Sequence, residues 1–148
     1  MNDYAVEIIY NSILALVAAQ VIKFIIFSIK EKKMISKALI STGGMPSSHS
    51  SLVSALTMSI YLYHGVNVYF AIALVLSLVI IHDAMGIRYE ASKHARALNQ
   101  IKLRLNLIEN IDVEEKKLKE ALGHKPREVL AGVILGVAVA IIGFYILK

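Results

Sequence analysis

The chain has no cysteine among its 148 residues. Disulfide bonds and thiolate chemistry are therefore excluded, and cysteine usage gives no reading of the redox compartment. The N-terminus lacks a basic leading segment and carries Asp3 and Glu7 instead. A cleaved signal peptide is not expected, and the first apolar stretch is read as retained. Internal repeats and low-complexity tracts are absent as well. Apolar surface is abundant: 57% of the residues are hydrophobic and the mean hydropathy is +0.63, too high for a soluble domain of this size. The 16 Lys and Arg and the 11 Asp and Glu residues cluster between apolar blocks. That is the pattern of several membrane spans joined by charged loops. The net charge of +5 then reflects topology and anionic lipid head groups rather than nucleic acid.

The apolar pattern predicts one membrane-embedded domain over residues 1–148, an all-α integral membrane protein built as a helical bundle. Four hydrophobic helices are expected: about Ala5 to Ile29, Ser47 to Tyr63, Val68 to Met85 and Arg127 to Leu147. The second and third are slightly short for a span of roughly 20 residues, so their polar ends lie near the interface or inside the protein. His64-Gly65-Val66-Asn67 reads as a tight turn. The charged stretch 88–127 predicts amphipathic cytoplasmic helices, one over Tyr89–Arg104. A second opens at the capping box Asp112-Val113-Glu114-Glu115 and ends at Gly123. Leu118, Ala121 and Leu122 give that second helix an apolar stripe. Pro126 suits the first turn of the last helix. Of the 16 basic residues, 14 lie between Lys30 and Arg127. With four spans, both charged loops face the cytoplasm and both termini lie outside.

On that topology the reactive side chains collect at one face. Gly43-Gly44-Met45-Pro46-Ser47-Ser48-His49-Ser50 stands at the cytoplasmic start of the second helix, His82, Asp83 and Arg88 at the end of the third, and His124 and Glu128 at the start of the fourth. Hydroxyls, helix-start N–H groups and an imidazole at one point can hold a phosphate and move a proton. Ionisable groups at membrane depth are functional candidates by default. Each part also has a plainer reading. Ser47 and Ser48 cap a helix. Asp83 pairs with Arg88 or Lys93. His82 faces elsewhere. His124 and Glu128, four apart, share a helical face, where the carboxylate orients the imidazole. Lys32-Lys33 is a topology signal, and Lys23 snorkels to the cytoplasmic interface. Gly132, Gly136 and Ala140 form a small-residue stripe, which suits packing within the chain or between two copies.

Three ordered stretches carry a resemblance: Gly43 to Ser50, His82-Asp83-Ala84-Met85-Gly86-Ile87-Arg88, and Leu122-Gly123-His124-Lys125-Pro126-Arg127-Glu128-Val129-Leu130-Ala131-Gly132. Together they resemble the divergent branch of the type-2 phosphatidic acid phosphatase family, over about residues 10–147. The wider superfamily includes lipid phosphatases and vanadium haloperoxidases. The resemblance implies a metal-independent mechanism, without cofactor, through a phosphohistidine. His124 would be the nucleophile, Glu128 its orienting carboxylate in place of the usual Asp, and His49 the acid that protonates the leaving alkoxide. Ser47 and Ser48 would bind phosphate oxygens, with Ser48 where the family usually has Gly. The KxxxxxxRP motif is missing, and Leu118 stands where the third motif has Arg. Another cation must therefore neutralise the phosphate. Arg88 and Lys93 are the first candidates, then Lys37, with Asp83 in support. The family core has six helices against about four here, which implies a homodimer in the bilayer.

The expected function is an integral-membrane phosphatase acting on a lipid phosphate or diphosphate at the cytoplasmic face. The alternative is a binding or scaffolding protein that keeps the anion pocket without turnover. A transporter ranks last, because the ionisable groups gather at one face.

Overall fold

The computed structural model describes residues 4–31, 44–109, 118 and 123–147. Every described element is an α-helix: α1 (Ala5–Glu31), α2 (Ser48–His64), α3 (Val68–Met85), α4 (Ile87–Glu109) and α5 (Pro126–Leu147). The boundaries follow local chemistry. Ser47 caps α2 with its side-chain oxygen, which accepts from the Ser50 N–H. Helix α2 ends at Gly65, whose φ of +69° suits glycine, and the Gly65 N–H bonds the Tyr61 carbonyl at 2.9 Å. Asn67 then caps α3 by accepting from the Phe70 N–H at 2.9 Å. The expected turn 64–67 is thus a helix stop followed at once by a helix start.

Helices α1, α2, α3 and α5 alternate in direction. At one end Tyr4, just before α1, stacks on Tyr63 of α2, with ring centroids 4.6 Å apart, and Tyr63 meets Phe144 of α5 at 5.0 Å. At the other end Lys23 of α1 reaches Ser48 of α2, and the segment entering α5 bonds both α2 and α3. Among the described residues, three stretches have the length and hydropathy of a span: Ala5–Ile29, Val68–Arg104, which contains α3, and Pro126–Leu147. Helix α2 does not match them in composition. Its 17 residues rise about 25 Å, and Ser48, Ser50, Ser51, Ser54, Thr57 and Ser59 are all buried in it. It packs against α1, α3 and α5, so its hydroxyls never need to face lipid. Several bond backbone instead: Ser51 to the Ser47 carbonyl, and Thr57 to the Val53 carbonyl, both at 2.9 Å. Others join helices, as Thr57 does to Ser77 at 2.8 Å and Asn11 to Ser59 at 3.4 Å.

The small-residue stripe of α5 resolves to packing within the chain. A Cβ on Gly132 would lie 2.5 Å from the Ser47 carbonyl oxygen, and one on Gly136 would strike the Ser51 carbonyl oxygen. One on Gly143 would strike the Asn11 side chain. Ala15, Ala55 and Ala140 complete the tight three-helix core.

Between α3 and α5, helix α4 spans the expected 89–104 segment and extends to Glu109. The capping box at 112–115 and most of the helix expected there lie outside the described residues. Leu118, expected on that helix's apolar stripe, is not helical. Its N–H and its carbonyl both bond the Asn99 side chain, each at 3.0 Å. A side-chain amide on α4 thus satisfies the backbone groups that a helix would have paired internally.

Because Ser51 meets Gly136 through backbone, neither side can yield by changing rotamer. Gly136→Ala is therefore expected to cost about 1–3 kcal/mol, while Ile134→Ala, at a site 61% exposed, should be close to neutral. Thermal unfolding of both variants in the same detergent checks this.

Candidate active site

The site forms where four helix ends meet. His124 precedes α5 and is 3% exposed. Its backbone N–H bonds the Ala84 carbonyl near the end of α3 at 2.9 Å. One helical turn on, the Glu128 carbonyl accepts from the Ser47 N–H at 2.9 Å. The segment leading into α5 is thereby tied to α3 and α2 through backbone alone, which gives it a rigid position. Gly123, with φ +82°, turns the chain into this join.

Within the join, His124 Nδ1 lies 3.2 Å from Glu128 Oε2, and the same carboxylate oxygen accepts from the Lys125 N–H at 3.2 Å. A carboxylate only accepts, so the neutral imidazole carries its proton on Nδ1 and keeps the Nε2 lone pair available. Burial is the largest influence on His124 and lowers its pKa below 6.5. The Glu128 hydrogen bond opposes that, while positive charge on Lys23 and His49 reinforces it. The ring is therefore neutral at pH 7, in the protonation state of a nucleophile.

Lys23 corrects the sequence reading. It does not snorkel outward: it is 4% exposed, and its Nζ donates to Ser48 Oγ at 3.1 Å. It lies within electrostatic reach of Glu128 and of His124. Its stem passes 3.6 Å from where a Gly44 Cβ would be, an ordinary packing distance, and what requires glycine at 44 is its φ of +96°. A buried cation is thus brought by α1 to the starts of α2 and α5. The available signal was an ionisable residue two turns inside an apolar helix, which marks a functional position in membranes.

The remaining expected residues divide. Ser47 is fully buried; its Oγ accepts from the Ser50 hydroxyl at 2.9 Å and its carbonyl from the Ser51 N–H at 3.0 Å. Ser47 thus shapes the start of α2. Ser48 faces Lys23, as above. His49 is exposed on the first turn of α2, and a positive charge on it opposes one on His124. Lys93 is not brought to this cluster. Its Nζ bonds Glu90 at 2.7 Å and sits 4.8 Å over the Tyr89 ring, with 54% of its side chain exposed. A carboxylate three residues back on the same helix satisfies it locally. Asp83 is half-buried and lines a groove along α3 with His82 and Met85. The Arg88 side chain and all of Lys37 lie outside the described residues. Among the described residues, no group of three or more His, Cys, Asp and Glu side chains could hold a metal ion.

The sequence profile described as the divergent PAP2 family matches residues 5–139. The chain belongs to the divergent PAP2 family. A relative in Bacillus subtilis strain 168, described as the uncharacterized membrane protein YuiD, is similar to this chain over nearly its whole length. The two are 35% identical over 145 residues, covering 91% of this chain and 92% of that protein. No solved structure matches. For this divergent PAP2 chain, a multi-pass integral membrane protein, the match covers α1 with Lys23 as well as both histidine segments.

The lowered His124 pKa also fixes a pH response. Unfolded, this imidazole takes a proton near 6.5; folded, it resists. Acid therefore favours the unfolded chain, and stability contributed by neutral His124 is lost as pH falls from 6.5 toward the folded pKa. Glu128→Gln removes the interaction that opposes this shift. The protonation midpoint of His124, followed by NMR of the labelled imidazole, should lie below 6.5 in the wild type and lower still in Glu128→Gln.

Proposed function

We propose that this divergent PAP2 protein is a phosphatase of lipid phosphates or diphosphates, working through a phosphohistidine. The observation that carries the reading is the buried Lys23–Ser48 pair beside the His124–Glu128 pair. A cation, hydroxyls and an oriented neutral imidazole at one water-poor junction are the parts that phosphoryl transfer requires. In the proposed reaction the phosphate oxygens lie against Lys23, Ser48 and the start of α2. His124 Nε2 forms a bond to phosphorus as the bond to the alkoxide oxygen breaks, and His49 gives that oxygen its proton. Water, deprotonated by His49, then attacks the phosphohistidine, releasing phosphate and restoring His124. The scheme routes no step through a metal or cofactor.

We also read the protein as a homodimer that completes a larger helical core. Its interface excludes the glycine stripe, which α2 and α1 already fill. The site faces the cytoplasm, on the side of the basic loops. Because the chain has no cysteine, a single cysteine placed at Val66, between α2 and α3, should react with an impermeant maleimide from outside intact cells.

The reaction itself is tested by phosphate release from phosphatidic acid, phosphatidylglycerophosphate and a polyprenyl diphosphate in detergent containing a chelator. His124→Ala should abolish turnover, and rapid quench should trap labelled phosphohistidine in the wild type. Phosphate binding without any trapped phosphohistidine would favour a binding protein instead. Lys23→Met is expected to reduce kcat/KM about 10²–10³-fold. Its thermal stability should be equal or higher, since an apolar side chain replaces a buried charge. A merely structural lysine would show the opposite pattern.

A further inference from the structure

Helices α3 and α5 are tied at the site end by the His124 N–H and the Ala84 carbonyl and touch little elsewhere. Below that tie they part, leaving a cleft of about 370 Å³ with α2 as its floor. Met58 and Tyr61 of α2, Leu74 and Leu78 of α3, and Val133 and Val137 of α5 line it. The lining also includes Thr57 and Ser77, yet their hydroxyls are engaged. One donates to the other across 2.8 Å, and the second proton goes to a backbone carbonyl, that of Val53 at 2.9 Å if Thr57 holds it or that of Ala73 at 2.7 Å if Ser77 does. What they present to the cleft is hydrocarbon.

The cleft continues the polar site. Ser54, at its near end, lies six residues along α2 from Ser48, or about 9 Å. Val133 lies five residues along α5 from Glu128. From Ser54 to Tyr61 the cleft then runs about 10 Å along α2. There the Tyr61 and Phe70 rings, 5.6 Å apart, form its far end. Its apolar lining and its run away from the polar site suit a single extended hydrocarbon chain.

We propose that this cleft is the slot for one hydrocarbon chain of a lipid whose phosphate sits at Lys23 and Ser48. The proposal rests on the phosphatase reading and specifies where one chain of its lipid substrate lies. The phosphate stays at the interface while one chain descends between α3 and α5, and the Tyr61–Phe70 pair turns longer chains outward into the bilayer.

Photolabelling tests this without requiring turnover. The full-length protein in nanodiscs is exposed to phosphatidic acid carrying a diazirine midway along one acyl chain, and adducts are mapped by mass spectrometry. Adducts are expected to concentrate on Met58, Leu74 and Val137. Leu74→Trp and Val137→Trp should each reduce cleft labelling at least fivefold, while labelling of the lipid-facing Ile72, Val75 and Ile134 persists. Labelling no stronger in the cleft than at those three residues overturns the proposal. So does equal cleft labelling by the matching diacylglycerol, which lacks the phosphate, and so does a second copy of the chain crosslinked in the cleft. Cleft labelling in protein that releases no phosphate supports the slot and overturns the phosphatase reading alone. Phosphate release with uniform labelling overturns the slot alone.

Discussion

The close approach of α5 to α2 is the constraint on which the remaining geometry depends. Gly132 and Gly136 bring one helix backbone against the Ser47 and Ser51 carbonyls of the other. At that separation the Ser47 N–H can reach the Glu128 carbonyl, and this bond sets the start of α5 beside the start of α2. The imidazole–carboxylate pair and the serine-rich helix start therefore share one junction as a consequence of backbone contact. Lipid tails offer no hydrophobic driving force between helices, so packing of this kind and hydrogen bonds between helices hold such a bundle together.

The second determinant is electrostatic. A lysine at 4% exposure among apolar helices is unfavourable unless partners compensate, and Ser48 and Glu128 supply the compensation. An anion entering this junction would meet a cation already desolvated and aimed, so little solvent has to reorganise when charge develops there. The same burial keeps His124 neutral. One physical condition, exclusion of water at the helix ends, thus prepares both the charge that would hold a phosphate and the lone pair that would attack it.

Much of this was legible in the residues. Long apolar runs gave α1, α3 and α5. The tight turn at His64–Asn67 gave the hairpin between α2 and α3, and four-residue spacing gave the His124–Glu128 pair. What escaped depended on neighbours that a one-dimensional pattern does not name. Whether Lys23 turns outward or inward is decided by what stands beside it on α2, and there it finds a serine. Lys93 carries the same charge and was weighted more heavily, yet Glu90 on its own helix holds it in solvent. The stripe of small residues announced a close contact without naming its partner. Leu118 fitted an apolar helical face but is claimed by a single asparagine on α4.

Helix α2 has a consequence for how the protein is made. A short helix rich in hydroxyls, with a lysine docked at its start, is a poor guest for lipid by itself. Its transfer from the translocon gains less than that of α1, α3 or α5. Its favourable surroundings exist only when flanking helices cover it. The tight Gly65–Asn67 connection supplies one such partner within four residues, so α2 and α3 form a natural unit of insertion in which the greasier arm carries the more polar one. In biogenesis, the helix that bears the serines of the site is thereby the one whose place in the membrane depends most on its neighbours.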